Sequence, residues 1–255
     1  MPKIHTKGKM RISINLLIVL TFLFSICNAK GQTLNASNND SIKSVSLLKK
    51  SIVPASLIGL GIIVNNSIFE KNFQTSLRNK VGNDFHFPID DYLQYAPIVE
   101  MYTADFLGIK ARNHWFDQTK YLLIANLISS TITHSLKIIT QKERPNGGIH
   151  SFPSGHTTLA FTNACVLYNE FHETAPVLSY SGYAFAATTG SFRMINNAHW
   201  MSDVLIGAGI GIISAELVYY FEPFKNFNPF TKTKNITFVP QIGSDNYGFY
   251  FVYNF

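Results

Sequence analysis

Long apolar stretches alternate with short polar groups along this chain. The stretches at residues 51–70, 92–108, 117–140, 157–171, 176–190 and 203–221 have the length and apolar character of helices. Gly147-Gly148 and Asn196-Asn197 mark loops between them. The pattern changes near the end, where residues 235–242 and 247–255 are β-prone runs separated by Gly243-Ser244-Asp245-Asn246, a turn signal. The predicted fold is therefore all-α, a bundle of about six helices with a short C-terminal β-hairpin. One hairpin cannot close a membrane barrel, so it is expected to pack on the helical body or to pair with a partner's edge strand.

The first residues follow a different logic. Lys3, Lys7, Lys9 and Arg11 precede an apolar run at residues 12–26, and Cys27-Asn28-Ala29 places small residues where a signal peptidase cuts. Residues 1–29 are predicted to be a signal peptide. Lipidation at Cys27 is the rival reading, opposed by Ile26, because a small residue is needed just before such a cysteine. Residues 30–50 begin rich in Asn, Ser and Thr and are expected to form a flexible tether. The helical domain is expected over 51–225 and the hairpin segment over 226–255. Cleavage would leave Cys165 alone, so no internal disulfide is expected in the mature chain.

Three polar islands interrupt the apolar pattern: residues 137–145 (KIITQKERP), 153–156 (PSGH) and 193–203 (RMINNAHWMSD). Their inventory suits a site that holds and attacks a phosphoryl group. A phosphoryl group gaining charge in its transition state needs fixed cations and aimed N–H donors. Lys137, Arg144 and Arg193 can supply the cations, and the arginine fork matches two phosphate oxygens at once. Ser154 and Gly155 can supply backbone donors if the run after His156 is helical, because a helix N-terminus favours an anion. His199 precedes Asp203 by four residues. If both lie at the start of the last helix they share a face, and the carboxylate holds one ring nitrogen protonated while the other serves as nucleophile. His156 is then free to protonate the leaving oxygen. The inferred reaction is a two-step transfer through a phosphohistidine, with cationic side chains in place of a metal; no cofactor is expected.

These islands resemble the three signature motifs of the type 2 phosphatidic acid phosphatase family, which includes class A acid phosphatases and vanadium haloperoxidases. The family pattern is K-x6-R-P, P-S-G-H and S-R-x5-H-x3-D. Lys137, Arg144 and Pro145 match the first, Pro153 to His156 the second, and Arg193, His199 and Asp203 the third with both spacings intact. Phe192 stands where the family pattern has serine, which should remove one hydroxyl contact to phosphate. The resemblance covers residues 52–221 and implies a phosphatase whose helices are arranged like the six of the family's membrane enzymes; the surrounding apolar helices suggest that its phosphate monoesters or pyrophosphates are attached to lipid. A soluble periplasmic acid phosphatase, a lipid-binding envelope protein that kept the motif shell, and more distantly a haloperoxidase are the alternatives.

The remaining titratable residues read as structural. His134 falls on an apolar helix pattern and is expected in the core, and Asp90-Asp91 is expected to cap a helix. His86, His114, His150 and His172 lack metal-ligand spacing, so no metal site is expected; His150 lies close enough to PSGH to line an entrance. The formal charge of +6 does not form a basic stripe interleaved with aromatics, which argues against nucleic acid and for anionic lipid surfaces. Residues 121–136 and 204–221 approach the length of about 20 apolar residues that a membrane span needs, although mean hydropathy is only +0.09. Three crossings after a cleaved signal would put Lys137 and Arg144 in the cytoplasm. The basic loop at Lys110 and Arg112 argues for the opposite side. An exported active site on the periplasmic side, at or near a membrane, is the expectation, with zero or two crossings before it. The oligomeric state is open.

Overall fold

The computed structural model describes residues 38–82, 84–230, 236–242 and 247–253. Eight helices occupy them: α1 (Asn38–Val64), α2 (Ile68–Val81), α3 (Asp90–Leu93), α4 (Ala96–Phe106), α5 (Trp115–Thr140), α6 (Gly155–Phe171), α7 (Pro176–Ile195) and α8 (Met201–Phe221). Two more helices are present than the apolar pattern suggests, because two expected helices each divide. The segment expected at 51–70 breaks at Asn66, whose φ of 60° is left-handed, and α2 restarts at Ser67, whose side chain accepts from Glu70 N. The segment expected at 92–108 divides at the turn before Pro97. The helical start also moves. α1 begins at Asn38, inside the segment expected to be a flexible tether. The predicted signal peptide lies outside the described residues.

α8 forms the centre of the bundle, packed against α1, α5 and α6, with α7 laid along α6. It can do so because glycines stand where two of these neighbours approach it. A Cβ added to Gly209 would sit 2.8 Å from Pro54 O of α1, and one added to Gly207 would sit 2.8 Å from Ser154 O at the head of α6. Small residues let helices approach this closely, and dispersion then does the work that water exclusion does in soluble cores. The apolar core runs from Tyr121 and Ala125 through Val166 and Leu167 to Ala215 and Val218. A polar clamp crosses it: Lys50 Nζ reaches Glu216 Oε2 at 2.9 Å and Asn169 Oδ1 at 2.8 Å, joining α1, α6 and α8.

Among the described residues, three helical stretches are long and apolar enough to cross a membrane: Leu47–Val64, Trp115–Thr140 and Met201–Phe221. The outward faces fit that reading. Ile52, Val53 and Ile63 of α1 and Leu123 and Leu127 of α5 are exposed, and large exposed apolar side chains grouped on a helix mark an interface or lipid. His134, expected in the core, lies on the exposed side of α5.

Past residue 230, β1 (Ile236–Ile242) and β2 (Tyr247–Tyr253) pair antiparallel, with Val239 opposite Tyr250. The turn expected at 243–246 lies outside the described residues.

Candidate active site

The three islands meet at one end of the bundle, where α6 and α8 begin and α5 and α7 end. The second island sets α6 in place. Ser154 is its N-cap and accepts from Thr157 N, while Ser154 N donates to Asp203 O at 3.0 Å. That single backbone bond fixes the head of α6 against the first turn of α8. Lys137 passes beside Gly155, with its Cε 3.8 Å from where a glycine Cβ would be, an ordinary contact. Lys137 lies in the last turn of α5, and its Nζ donates to His150 O at 2.9 Å. His150 returns the contact through its ring Nδ1, 3.0 Å from Lys137 O, so it clamps the first island to the second. Arg144 sits in a tight turn closed by Arg144 N to Gly148 O at 2.7 Å, and its Nε donates to Ile149 O. Burial, and then the charge of Arg193, push the Arg144 guanidinium below its ordinary value. The two arginines of different islands therefore share one pocket of potential.

The third island is a loop rather than a helix face. Arg193 O accepts from both Ala198 N and His199 N, and Asn197 turns the chain with a φ of 59°. His199 thus stands before α8, whose N-cap is Trp200. This corrects the expectation that His199 and Asp203 share a helical face. His199 Nδ1 is 3.6 Å from Asp203 Oδ2, too far for a hydrogen bond, and among the described residues it has no hydrogen-bond partner. Asp203 is engaged elsewhere. Its Oδ2 accepts from Trp200 N at 2.9 Å and from Ser151 Oγ, and its Oδ1 accepts from Lys142 Nζ at 2.9 Å. Such an anchored carboxylate is fully buried and held at the first turn of a helix, where the dipole favours it. His199 is 2% exposed, and burial pushes its imidazole down to about 4, against the pull of Asp203. It is neutral at neutral pH.

Arg193 reaches the opposite way. Its Nη1 donates to Asp90 Oδ2 at 2.5 Å, while its Nε, also buried, has no acceptor among the described residues. A buried N–H without an acceptor is costly, and here it is carried by a cation beside two histidines. His156, the second residue of α6, puts Nε2 2.8 Å from Asp91 Oδ1. Burial and Arg193 lower the His156 imidazole, and Asp91 opposes them.

The sequence model of the PAP2 superfamily matches residues 118–227, the stretch that carries all three islands. Over that stretch the chain is similar to the PAP2 superfamily. It is 34% identical over 146 residues to a lipid A 1-phosphatase of Porphyromonas gingivalis, covering 56% of this chain and 33% of that relative. The chain thus spans about a third of the length of the curated relative it matches. Among solved structures, Aquifex aeolicus LpxE matches 62% of this chain and 98% of its own at 22% identity and a TM-score of 0.45. A transmembrane PAP2-type phosphatidylglycerolphosphate phosphatase from Bacillus subtilis matches 84% and 98% at 17% identity and a TM-score of 0.39.

All eight residues singled out in the sequence lie in or beside this constellation, but it contains others that sequence reasoning passed over. Lys142, inside the first island, bonds Asn65 Oδ1, Ser202 Oγ and Asp203 Oδ1 and lies 3.9 Å from the buried Glu70. Glu70 in turn accepts from Ser202 N at 2.7 Å. The signal for Lys142 was its place in a polar island of an apolar chain; Glu70 shows locally only as the third residue of a capping pattern begun by Ser67. Asp90 and Asp91 begin α3, but neither makes the cap bond expected of them. Asp90 is buried against Arg193 and Asn196, and Asp91 faces His156. Phe192, where the family pattern has serine, packs on Phe87 with ring centroids 5.9 Å apart. Ser191 bonds its own helix at Ala187 O and so does not replace the missing hydroxyl.

Proposed function

We propose that this protein is a phosphatase that hydrolyses phosphate monoesters or pyrophosphates attached to lipid through a phosphohistidine, with protein cations rather than a metal or cofactor balancing the phosphoryl charge. The observation that carries the reading is the buried Arg193 Nε, a cationic donor without an acceptor, placed between islands that also bring Lys137, Arg144, His156 and His199 to one end of the bundle. A phosphoryl oxygen would satisfy that donor. Lys137 and Arg144 would hold the remaining non-bridging oxygens, together with the backbone N–H of Gly155; the Ser154 N–H, expected to join them, is instead given to Asp203 O.

The chemistry follows from the two histidines. His199 is neutral and so has a lone pair to offer. With Nδ1 toward Asp203, its Nε2 attacks phosphorus. The N–P bond forms as the P–O bond to the lipid breaks, and His156 gives its proton to the departing oxygen. Water then attacks phosphorus, His156 takes the water's proton, and the N–P bond breaks to release phosphate. Asp203 stabilises the imidazole as it gains charge, and Lys142 and Ser151 keep that carboxylate in place.

The apolar outer surface and the three potential spans support a lipid substrate and a membrane location. They also support an exported site. Arg112 N bonds Glu170 O near the C-terminal end of α6, and Arg112 pairs with Glu222 just past the end of α8. The islands are at the N-terminal ends of both helices. A basic Lys110–Arg112 loop held in the cytoplasm leaves the site on the other face. We read β1 and β2 as one hairpin outside the catalytic machinery.

The test is phosphate release by detergent-solubilised protein from phosphatidic acid, an isoprenyl diphosphate, lipid A and 4-nitrophenyl phosphate, with His199→Ala as the blank. Preference for the lipids over the soluble ester is expected. Equal or better turnover of the soluble ester moves the protein to the acid-phosphatase branch. No difference from the blank on any substrate favours a lipid-binding protein. Chelators should leave the activity unchanged.

A further inference from the structure

We propose that Asp91 is a positioning residue for the leaving-group proton: with His156 it makes a second histidine–carboxylate couple beside that of His199 and Asp203. The inference rests on the phosphatase reading above. Its geometry is independent of the sequence motifs, none of which includes α3.

The adjacent carboxylates of α3 have divided fates. Asp90 is buried and fully taken by Arg193 Nη1 and by Asn196 Nδ2 at 2.8 Å. Asp91 is half-exposed and has one short contact to a side chain, His156 Nε2 at 2.8 Å, with Arg193 Nη1 at 3.8 Å behind it. His156 needs such a partner. It is the second residue of α6, where the helix dipole disfavours an imidazolium. Its charged neighbours are of both signs, the cations being Arg193 from α7 and, beside Gly155, Lys137 from α5. Of the nearby carboxylates, Asp203 of α8 is held by Lys142 and Ser151, next to His199, and Asp90 is held by Arg193. Asp91 is the carboxylate left to keep a proton on Nε2.

With Nε2–H directed to Asp91, Nδ1 is the nitrogen that serves the substrate. As the P–O bond breaks, Nδ1–H passes its proton to the lipid oxygen, and the imidazolium becomes a neutral ring still bonded to Asp91. In the second step Nδ1 takes a proton from the attacking water as the N–P bond to His199 breaks. The ring returns to imidazolium, again balanced by Asp91. Arg193 also gains, because Asp90 fixes one edge of its guanidinium and leaves Nε toward the site.

The experiment compares full-length wild-type protein with Asp91→Asn and Asp91→Glu in detergent, on phosphatidic acid and on 4-nitrophenyl phosphate. The first has a poor leaving group that needs a proton and the second a good one that does not. Asp91→Asn should lose about tenfold or more in kcat on phosphatidic acid and far less on 4-nitrophenyl phosphate. The basic limb of its kcat/KM profile should move to lower pH, and Asp91→Glu should recover most of both effects. Equal losses on the two substrates, or an unmoved basic limb, would overturn the role and leave Asp91 as a clamp on α3. Ring-labelled histidine NMR gives a readout that needs no turnover: the His156 titration should fall to lower pH in Asp91→Asn. An unmoved titration overturns the couple. A moved titration in a protein that hydrolyses neither substrate upholds the ion pair but overturns both the phosphatase reading and the acid role.

Discussion

Lys142 Nζ lies 2.9 Å from Asp203 Oδ1, and the two side chains are 11% and 0% exposed. The pair joins the loop after α5 to the first turn of α8, and Lys142 extends the connection to Asn65 between α1 and α2. Removing one partner of a buried ion pair leaves the other charge without compensation, which costs about 3–5 kcal/mol. Lys142→Met should therefore lower the melting temperature and leave Asp203 poorly held. Its kcat should fall further than its substrate affinity. Thermal unfolding and steady-state kinetics in the same detergent check both parts.

His199 makes acid stability a direct readout of burial. Its folded imidazole is pushed from the ordinary 6.5 down to about 4, so between those values the unfolded chain binds the extra proton. Stability from this group is full above about 6.5 and is lost as pH falls toward 4. Melting curves from pH 7 to 4 should show the decline, and His199→Gln, which does not titrate there, should flatten it. In kcat/KM, the acid limb should reflect loss of the neutral imidazole near pH 4.

Arg193→Lys keeps the charge but removes the orphaned Nε donor and the planar fork. Vanadate, which mimics the five-coordinate phosphorus of the transition state, should bind about tenfold or more weaker, the value of one lost charge-assisted hydrogen bond. Unchanged vanadate affinity would mean that Nε does not meet the anion.

Gly207→Ala tests the approach of α8 to the second island. The new Cβ would fall 2.8 Å from Ser154 O and 3.1 Å from Thr158 Oγ1, so the head of α6 must shift. Overpacking of this kind costs about 1–3 kcal/mol. Activity should fall with stability, because Ser154 and Gly155 at the head of α6 move with it. Gly59, with nothing within 4 Å of its missing Cβ, should tolerate alanine with activity intact.

Much of the bundle was legible because apolar length and local caps are short-range properties. The starts of α6, at Ser154, and α7, at Pro176, were written in PSGH and in a proline at the first helical position. The breaks were less legible. Asn66 ends α1 in a left-handed turn inside a segment that is apolar on both sides, and α2 is too polar to stand out from hydropathy. Its signal was Ser67 with Glu70 three residues on, a capping pattern. α1 also begins among Asn, Asp and Ser that composition alone assigns to a tether.

The sequence by itself determined the chemistry on offer: three cations, two histidines and one aspartate at fixed spacings in an apolar chain. Spacing carries that information because residues within one loop or one helical turn are held together by the backbone, as Arg193 O does for Ala198 and His199. Only the tertiary structure decided which groups answer each other. Asp203 turned out to be held by Lys142 and Ser151 rather than hydrogen-bonded to His199. Asp90 and Asp91, far away in sequence, supply the carboxylates for Arg193 and His156. A buried charge must find a partner wherever the packed helices bring one, and that choice is set by the close crossings of α1, α6 and α8, not by any local pattern.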